Sequence, residues 1–161
     1  MIRMTKQTDY GFVLLSRLAS DPERVLNAPD LAEECRLPLP MVSKILKMLA
    51  RAQLVRSHRG VKGGYSLARL PLEISADQIV RALEGPVALT VCIDGSPGEC
   101  DLEPYCSVRG HWQRINVAVE DALARISLAE LTAPPASGLV QLGRGGVEAP
   151  VATTTQRQGA A

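Results

Sequence analysis

Residues 27–67 carry the pattern that most constrains the fold: two short amphipathic segments joined by a tight turn and followed by a glycine-containing hairpin pattern. Asn27 and Pro29 predict the start of a helix that ends near Cys35, because asparagine caps free backbone amides and proline is favoured in a first helical turn. A second helix is predicted to begin at Pro40 with one apolar and one basic face. The apolar face contains Val42, Ile45, Leu46 and Leu49, and the other contains Ser43, Lys44, Lys47 and Arg51. This pair predicts a helix-turn-helix, whose second helix can enter a DNA major groove.

The segment LVRSHRGVKGGYSLA, residues 54–68, predicts a strand, a turn and a return strand. Gly60, Gly63 and Gly64 permit the turn. Basic side chains cluster there, namely His58, Arg59 and Lys62. A helix pair with a basic, solvated face is common in proteins of many functions, so the hairpin is the feature that favours a winged helix. A basic wing can lie along a groove while its cations contact phosphates.

The charge of the chain is divided between its two halves. Residues 1–70 contain 12 Lys and Arg against 6 Asp and Glu, whereas residues 71–161 contain 6 against 11. The net charge of +1 therefore conceals a basic first half. Small domains often carry uneven charge, so the asymmetry supports phosphate contact only together with the motif.

Two further helices flank the winged-helix pattern. One is predicted from about Thr5 to Ser20, and another begins at Ser75, with Gln78 as its reciprocal cap and Gly85 at its end. The inward positions expected from the spacing are Tyr10, Val13, Leu14 and Leu18 in the first helix and Ile79, Val80 and Leu83 in the second. The expected fold class is therefore mainly α with a small β-hairpin wing.

A longer helix is predicted from about Arg109, and its apolar stripe has no obvious partner in a chain of this size. The stripe consists of Trp112, Ile115, Val119, Leu123 and Ile126. Periodicity alone is equally compatible with packing onto the same chain and with pairing to the same helix of a second copy. From residue 133 onward the sequence is rich in Gly, Pro, Ala and Thr, which is typical of a disordered tail.

The composition bounds the class of protein. The chain has 161 residues, 46% of them hydrophobic, which suffices for one ordinary core with an appended element. The N-terminus lacks a signal-peptide pattern, and no apolar run approaches the roughly 20 residues of a membrane span, so we expect a cytoplasmic protein without membrane contact. The sequence contains 2 histidines and lacks a nucleophile elbow, so it is not expected to be an enzyme.

Three of the 4 cysteines, Cys92, Cys100 and Cys106, are separated by seven and then five residues in one stretch. In a reducing compartment such a group indicates metal ligands or redox groups rather than structural disulfides. The spacing lacks the close ligand pairs of zinc fingers and suits an iron–sulfur cluster better, although the usual ferredoxin spacings are also absent. Zinc, a metal-free disulfide switch and ordinary thiols stay open as alternatives. Cys35 is predicted to be a small buried hydrophobe.

Three thiolates leave one coordination position of such a site unfilled. Candidates for it are His111, the carboxylates Asp94, Asp101 and Glu103, a residue of another subunit, or a small molecule. A cluster with incomplete thiolate ligation is expected to be labile, and lability suits a sensor.

Several segments together resemble the IscR-type family of bacterial winged-helix regulators, also called Rrf-two. They are TDYGFVLL, MVSKILKMLARAQLVRSHRGVKGGYSLAR, ISADQIVRALEGP and the three-cysteine stretch followed by HWQRIN. The resemblance covers roughly residues 1–132, and the wing motif combined with three cysteines before a tryptophan-led helix is its most specific part. Members of this family are homodimeric transcription regulators that hold an iron–sulfur cluster and change their DNA binding with its state.

The resemblance assigns roles to particular residues. Cys92, Cys100 and Cys106 would be cluster ligands, and the helix from Pro40 would read the major groove of an operator in double-stranded DNA. The residues expected to contact DNA are Met41, Ser43, Lys44, Lys47, Arg59, Lys62, Gly63 and Tyr65. The units would be a DNA-binding domain at 1–86, a cysteine loop at 87–108, a dimerisation helix at 109–132 and a tail at 133–161.

The subgroups of the family differ in their fourth ligand. The IscR subgroup has a histidine three residues after the last cysteine, where this chain has Arg109. The nitric-oxide-sensing subgroup uses an early aspartate of the second subunit, and Asp9 matches that place. We therefore expect Asp9 in trans as the fourth ligand, with His111 second, and a 2Fe–2S rather than a 4Fe–4S cluster. The segments ISADQIVRALEGP and HWQRIN most resemble the regulators of SUF cluster-assembly operons.

Overall fold

The computed structural model describes residues 3–60, 63–93, 100 and 105–133. In chain order its elements are α1 (Lys6–Ala19), α2 (Ala28–Cys35), α3 (Leu39–Arg51), β1 (Val55–His58), β2 (Gly64–Leu67), a 3-10 helix (Pro71–Glu73), α4 (Ala76–Glu84), α5 (Arg109–Ala124) and α6 (Leu128–Thr132). The two strands pair antiparallel, with Val55 opposite Leu67 and His58 opposite Gly64. The fold is therefore mainly α with a β-hairpin wing, as the sequence predicts.

One hydrophobic core lies between α1, α2, α3, α4 and the inner face of the wing. The four predicted apolar residues of α3 are all fully buried. In α1 the prediction is wrong at Val13, which is exposed, while its neighbour Leu15 is fully buried. The reason is that Gly11 brings α1 against Leu83 of α4, which turns Leu14, Leu15 and Leu18 inward.

The predicted caps of α2 and α4 are confirmed, because they depend on short-range contacts. The Asn27 side chain accepts a hydrogen bond of 2.8 Å from the Asp30 amide, which caps α2. Ser75 and Gln78 form the expected reciprocal cap of α4. Helix α4 ends at Gly85, whose φ of 96° favours glycine.

The wing is attached to the chain between α1 and α2. The Leu26 amide donates to the Tyr65 carbonyl at 3.0 Å, and the Tyr65 amide donates to the Leu26 carbonyl at 2.7 Å. Gly64 is needed here for closeness, since a β-carbon at this residue would lie 2.6 Å from the Leu26 carbonyl oxygen. This attachment holds the wing in a defined place beside α3.

The structure divides the predicted helix of residues 109–132 into two. Helix α5 ends at Ala124 because the following residues pair with those before α4. The Ala76 amide donates to the Ile126 carbonyl and the Leu128 amide donates to the Ile74 carbonyl, both at 2.8 Å. Ile126 of the predicted stripe therefore lies beyond α5. The predicted tail, residues 133–161, lies outside the described residues except for residue 133.

Candidate functional site

Helix α3 turns a polar and basic face to solvent. Its buried stripe leaves Lys44 and Lys47 exposed and Ser43 partly exposed. One shallow surface depression is bordered by Pro40, Ser43, Lys44, Lys47, Met48 and Arg51. Met41, also predicted to contact DNA, packs partly against the core, so only part of its side chain faces outward. The exposed face carries side chains that can contact phosphates and base edges.

The wing places its predicted contact residues in different environments. Arg59 is exposed at the tip, and the Gly63 amide closes the turn on the Gly60 carbonyl at 2.9 Å. Tyr65 packs partly against the core, so it contributes to the packing of the wing and only part of its side chain is available for DNA. Lys62 lies outside the described residues.

The cations of this surface are not neutralised by neighbours in the described chain. The ion pairs in the described part of the chain join Arg17 and Arg24 to Glu34, and Arg81 to Asp77 and Glu120. None of them includes a cation of α3 or of β1. Unpaired surface cations are available to release counterions from a polyanion.

Cys92, Cys100 and Cys106 are free thiols and each is half-buried. Cys92 lies in a turn after α4, with its sulfur 3.2 Å from the Thr90 hydroxyl oxygen, and Cys106 lies just before α5. Among the residues that the structure describes, no three His, Cys, Asp or Glu side chains are assembled as a metal site. The three thiols therefore lie along the connection between α4 and α5, and the described residues do not assemble them around a common point.

The two preferred candidates for a fourth ligand, Asp9 and His111, are both exposed, whereas Asp94, Asp101 and Glu103 lie outside the described residues. Asp9 lies in the first turn of α1, beside the buried Thr8. His111 lies in the first turn of α5, on the same side as Ile115. Neither side chain joins the three thiols in the described chain.

Cys35 is separate from this region, as predicted. It lies at the end of α2, half-buried, and packs against the core. Burial raises the pKa of the Cys35 thiol, and nearby Arg17 opposes that shift. A thiol that stays protonated is a poor nucleophile and a poor metal ligand.

Sequence reasoning missed two polar contacts that border the cysteine region. Thr8 and Asn116 are the buried polar residues of the described chain. Thr8 donates its hydroxyl hydrogen to the Glu84 carboxylate at the end of α4, and Asn116 bonds to backbone shortly before Cys92. The signal that could have revealed Asn116 is a polar residue four positions after Trp112 in an otherwise apolar stripe.

Comparisons with known proteins identify the family of this chain. The sequence profile of the Rrf2 family, described as an iron-dependent transcriptional regulator, matches residues 4–134. The chain belongs to the Rrf2 family. A relative in this family, the transcriptional regulator NsrR of Geobacillus kaustophilus strain HTA426, is 31% identical over 137 residues, which are 84% of this chain and 93% of that protein.

Two solved structures also resemble the chain. IscR of T. potens is 27% identical with a TM-score of 0.61, and the match covers 81% of this chain and 85% of that one. CymR of Staphylococcus aureus, in an oxidized form, is 29% identical with a TM-score of 0.62, and the match covers 83% and 98%. These similarities agree with the winged helix described above and with membership in a family of transcriptional regulators. In the described residues, no helix combines the length and apolar character needed to cross a membrane.

Proposed function

We propose that this chain is a homodimeric regulator that binds an operator in double-stranded DNA and senses iron–sulfur cluster status through Cys92, Cys100 and Cys106. The observation that carries the proposal is the place of these thiols in the fold. They occupy the connection between α4, which belongs to the winged helix, and α5, whose residues are mostly exposed. A group held there can couple the DNA-binding unit to α5.

The DNA-binding part of the proposal is supported by α3 and the wing. Both present exposed cations without partners in the described chain, and both are anchored on one core. Of the predicted contacts, Ser43, Lys44, Lys47 and Arg59 have the exposure that the role requires. Lys44 and Lys47 would contact phosphates at the major groove and Arg59 would contact them from the wing.

The homodimer is supported by the outward face of α5. Asn116 is the only buried residue of this helix, whereas Trp112 is 37% and Ile115 is 46% exposed. Trp112, Ile115 and Ile126 of the stripe are therefore exposed in the single chain, whereas Val119 and Leu123 are half-buried. Pairing of two α5 helices would bury this face and would set two α3 helices at a fixed separation.

The donor set fits an iron–sulfur cluster in its chemistry. The three thiols are free and half-buried, and thiolates are the ligands that such clusters use. The Thr90 hydroxyl lies within hydrogen-bonding distance of the Cys92 sulfur, and such contacts tune the reduction potential of a bound cluster. Asp9 of the second subunit is the proposed fourth ligand, with His111 second. A bound cluster would supply chemistry sensitive to oxygen and redox state; a 2Fe–2S cluster is the type we propose.

The proposed coupling uses residues of this chain. Cys92 lies eight residues after the end of α4 and Cys106 three residues before the start of α5. Ligation by both thiols, and by Asp9 on α1 of the second subunit, would restrict α5 relative to both DNA-binding units. The distance between the two α3 helices must match the half-site spacing, so DNA affinity would depend on cluster status. On the resemblance of ISADQIVRALEGP and HWQRIN we propose SUF cluster-assembly genes as the targets.

The test is the visible absorption spectrum of the protein purified without oxygen, together with iron and acid-labile sulfide analysis. The Cys92/Cys100/Cys106 triple alanine variant is the comparison, and Cys35→Ala is the matched control because it removes the one cysteine outside the region. We expect colour, iron and sulfide in the wild type and in Cys35→Ala, and none in the triple variant. DNA binding with and without cluster then tests the coupling.

A metal-free thiol switch is the second candidate. It is favoured by the three free thiols in one region and by the similarity to CymR, which has been solved in an oxidized form. Two of the thiolates would lose two electrons to an oxidant and form a disulfide. This candidate predicts a colourless protein whose DNA binding responds to reductant, whereas a zinc-containing regulator would hold its metal under both conditions.

A further inference from the structure

Asn116 is the buried residue through which α5 contacts the rest of the chain. Its side chain is 2% exposed, whereas that of the adjacent Ile115 is 46% exposed. A buried carboxamide is costly unless its donors and acceptor are all bonded. The hydrogen-bond partners of Asn116 therefore show which part of the chain α5 binds.

All of those partners except one belong to the segment that leads to Cys92. The Asn116 Nδ2 donates to the Val87 carbonyl at 2.8 Å and to Glu120 Oε1 at 3.1 Å, while Oδ1 accepts from the Leu89 amide at 3.1 Å. Leu89 is three residues before Cys92. The carboxamide therefore clamps the backbone just before the first thiol to the helix that follows the last one.

The clamp is connected to the winged helix by further polar contacts. Glu120 accepts from Arg81 at 3.2 Å, and Arg81 pairs with Asp77 at 2.8 Å within α4. The other end of the segment is held at Glu84, which accepts hydrogen bonds from Thr8 and from the Thr5 amide of the α1 cap. Hydrogen bonds and ion pairs thus connect the segment between Glu84 and Cys92 to α1, α4 and α5.

We propose that Asn116 is a positioning residue for the cysteine site, which holds the Cys92 segment at a fixed place relative to α5 and so relative to Cys106. The proposal rests on the proposed function only for the identity of the group that the thiols bind. The hydrogen bonds from Asn116 to Val87 and Leu89 form without any bound group.

The informative variant is Asn116→Asp. It keeps the shape of the side chain and an acceptor for the Leu89 amide, but it replaces the two donated bonds with a carboxylate facing the Val87 carbonyl and Glu120. Both contacts become repulsive, so the segment is expected to detach. Gln113→Asp is the matched control, since it makes the same change from amide to carboxylate at an exposed residue of the same helix. Asn116→Ala serves as a second variant if the aspartate prevents folding.

The first measurement uses metal-free protein in which Cys92 is the only cysteine. The rate of Cys92 alkylation by iodoacetamide is expected to rise about fivefold in Asn116→Asp and Asn116→Ala, because release of the segment exposes a half-buried thiol. The rate in Gln113→Asp is expected to equal that of the parent protein. Equal rates in all of the proteins would overturn the proposal.

The second measurement uses protein with all of its cysteines and follows cluster loss to a chelator by visible absorption. Loss is expected to be about tenfold faster or more in the Asn116 variants than in Gln113→Asp, at a temperature at which circular dichroism shows the metal-free forms of all of these proteins to be folded. Loss at the wild-type rate overturns the positioning role. If the wild type takes up no cluster, the proposed function fails, and the alkylation rates alone decide the role of Asn116.

Discussion

Replacing Gly64 with alanine should weaken the attachment of the wing. A β-carbon at this residue would lie 2.6 Å from the Leu26 carbonyl oxygen and 2.9 Å from the Asn27 amide nitrogen. Both atoms are backbone, so neither can rotate away as the end of a flexible side chain could. Strand β2 would have to move outward by several tenths of an ångström.

That movement acts on two short backbone hydrogen bonds between Leu26 and Tyr65, of 3.0 and 2.7 Å. A backbone hydrogen bond contributes about 1 kcal/mol net, and overpacking costs about 1–3 kcal/mol. We therefore expect the free energy of unfolding to fall by about 2–4 kcal/mol in Gly64→Ala. For a chain of this size that corresponds to a melting temperature lower by about 4–16 °C.

Thermal unfolding followed by far-ultraviolet circular dichroism measures the effect. Gly110→Ala is the control, because a β-carbon there meets nothing within 4 Å and the residue lies in α5. Alanine in a helix is expected to leave stability unchanged or to raise it by up to about 1 kcal/mol. If Gly64→Ala unfolds at the same temperature as the wild type, the close approach of β2 to Leu26 does not require glycine at residue 64, and the reasoning is refuted.

Three further predictions concern DNA, the dimer and pH. Lys44→Ala should reduce the slope of log affinity against log salt by about 1, while Arg125→Ala, an exposed cation far along the chain, should not change it; equal slopes would remove Lys44 from the interface. Ile115→Glu should convert dimer to monomer in sedimentation velocity, and a persisting dimer would place the interface elsewhere. Hydrogen bonding by Thr8 lowers the pKa of the Glu84 carboxyl in the folded chain. As the pH falls below about 4.3, the unfolded chain takes up a proton while the folded chain still carries the charged carboxylate. The stability contributed by Glu84 is therefore lost as the pH falls from the unfolded-state pKa through the lower folded-state pKa. Glu84→Gln should therefore be less stable than wild type near neutral pH, with a smaller difference in acid; urea titrations giving a constant difference would contradict this.

Local sequence signals predicted those features that depend on neighbours along the chain. The apolar stripe of α3 is buried as expected, because helical spacing alone brings Val42, Ile45, Leu46 and Leu49 to one face. The caps at Asn27 and Ser75 are confirmed because each bonds to an amide three residues away. Membership in the Rrf2 family also follows from motifs that are local, above all the wing.

The inward face of α1 shows where local reasoning stops. Spacing predicted that Val13 faces inward and did not single out Leu15, whereas the close approach of Gly11 to Leu83 leaves Val13 exposed and Leu15 buried. The end of α5 is similar, since pairing with residues 74–76 interrupts a segment whose periodicity continues through Ile126. In both places the deciding partner is distant in sequence.

The sequence by itself determined the types of helix and strand and the basic face of α3. These follow from the spacing of residue types, which acts over one or two helical turns. Tertiary structure alone decided which polar groups meet. Thr8 and Glu84 are 76 residues apart, and Asn116 is 29 residues from Val87. Buried polar groups must find partners wherever packing brings them, so their pairing depends on the folded core and cannot be inferred from spacing along the chain.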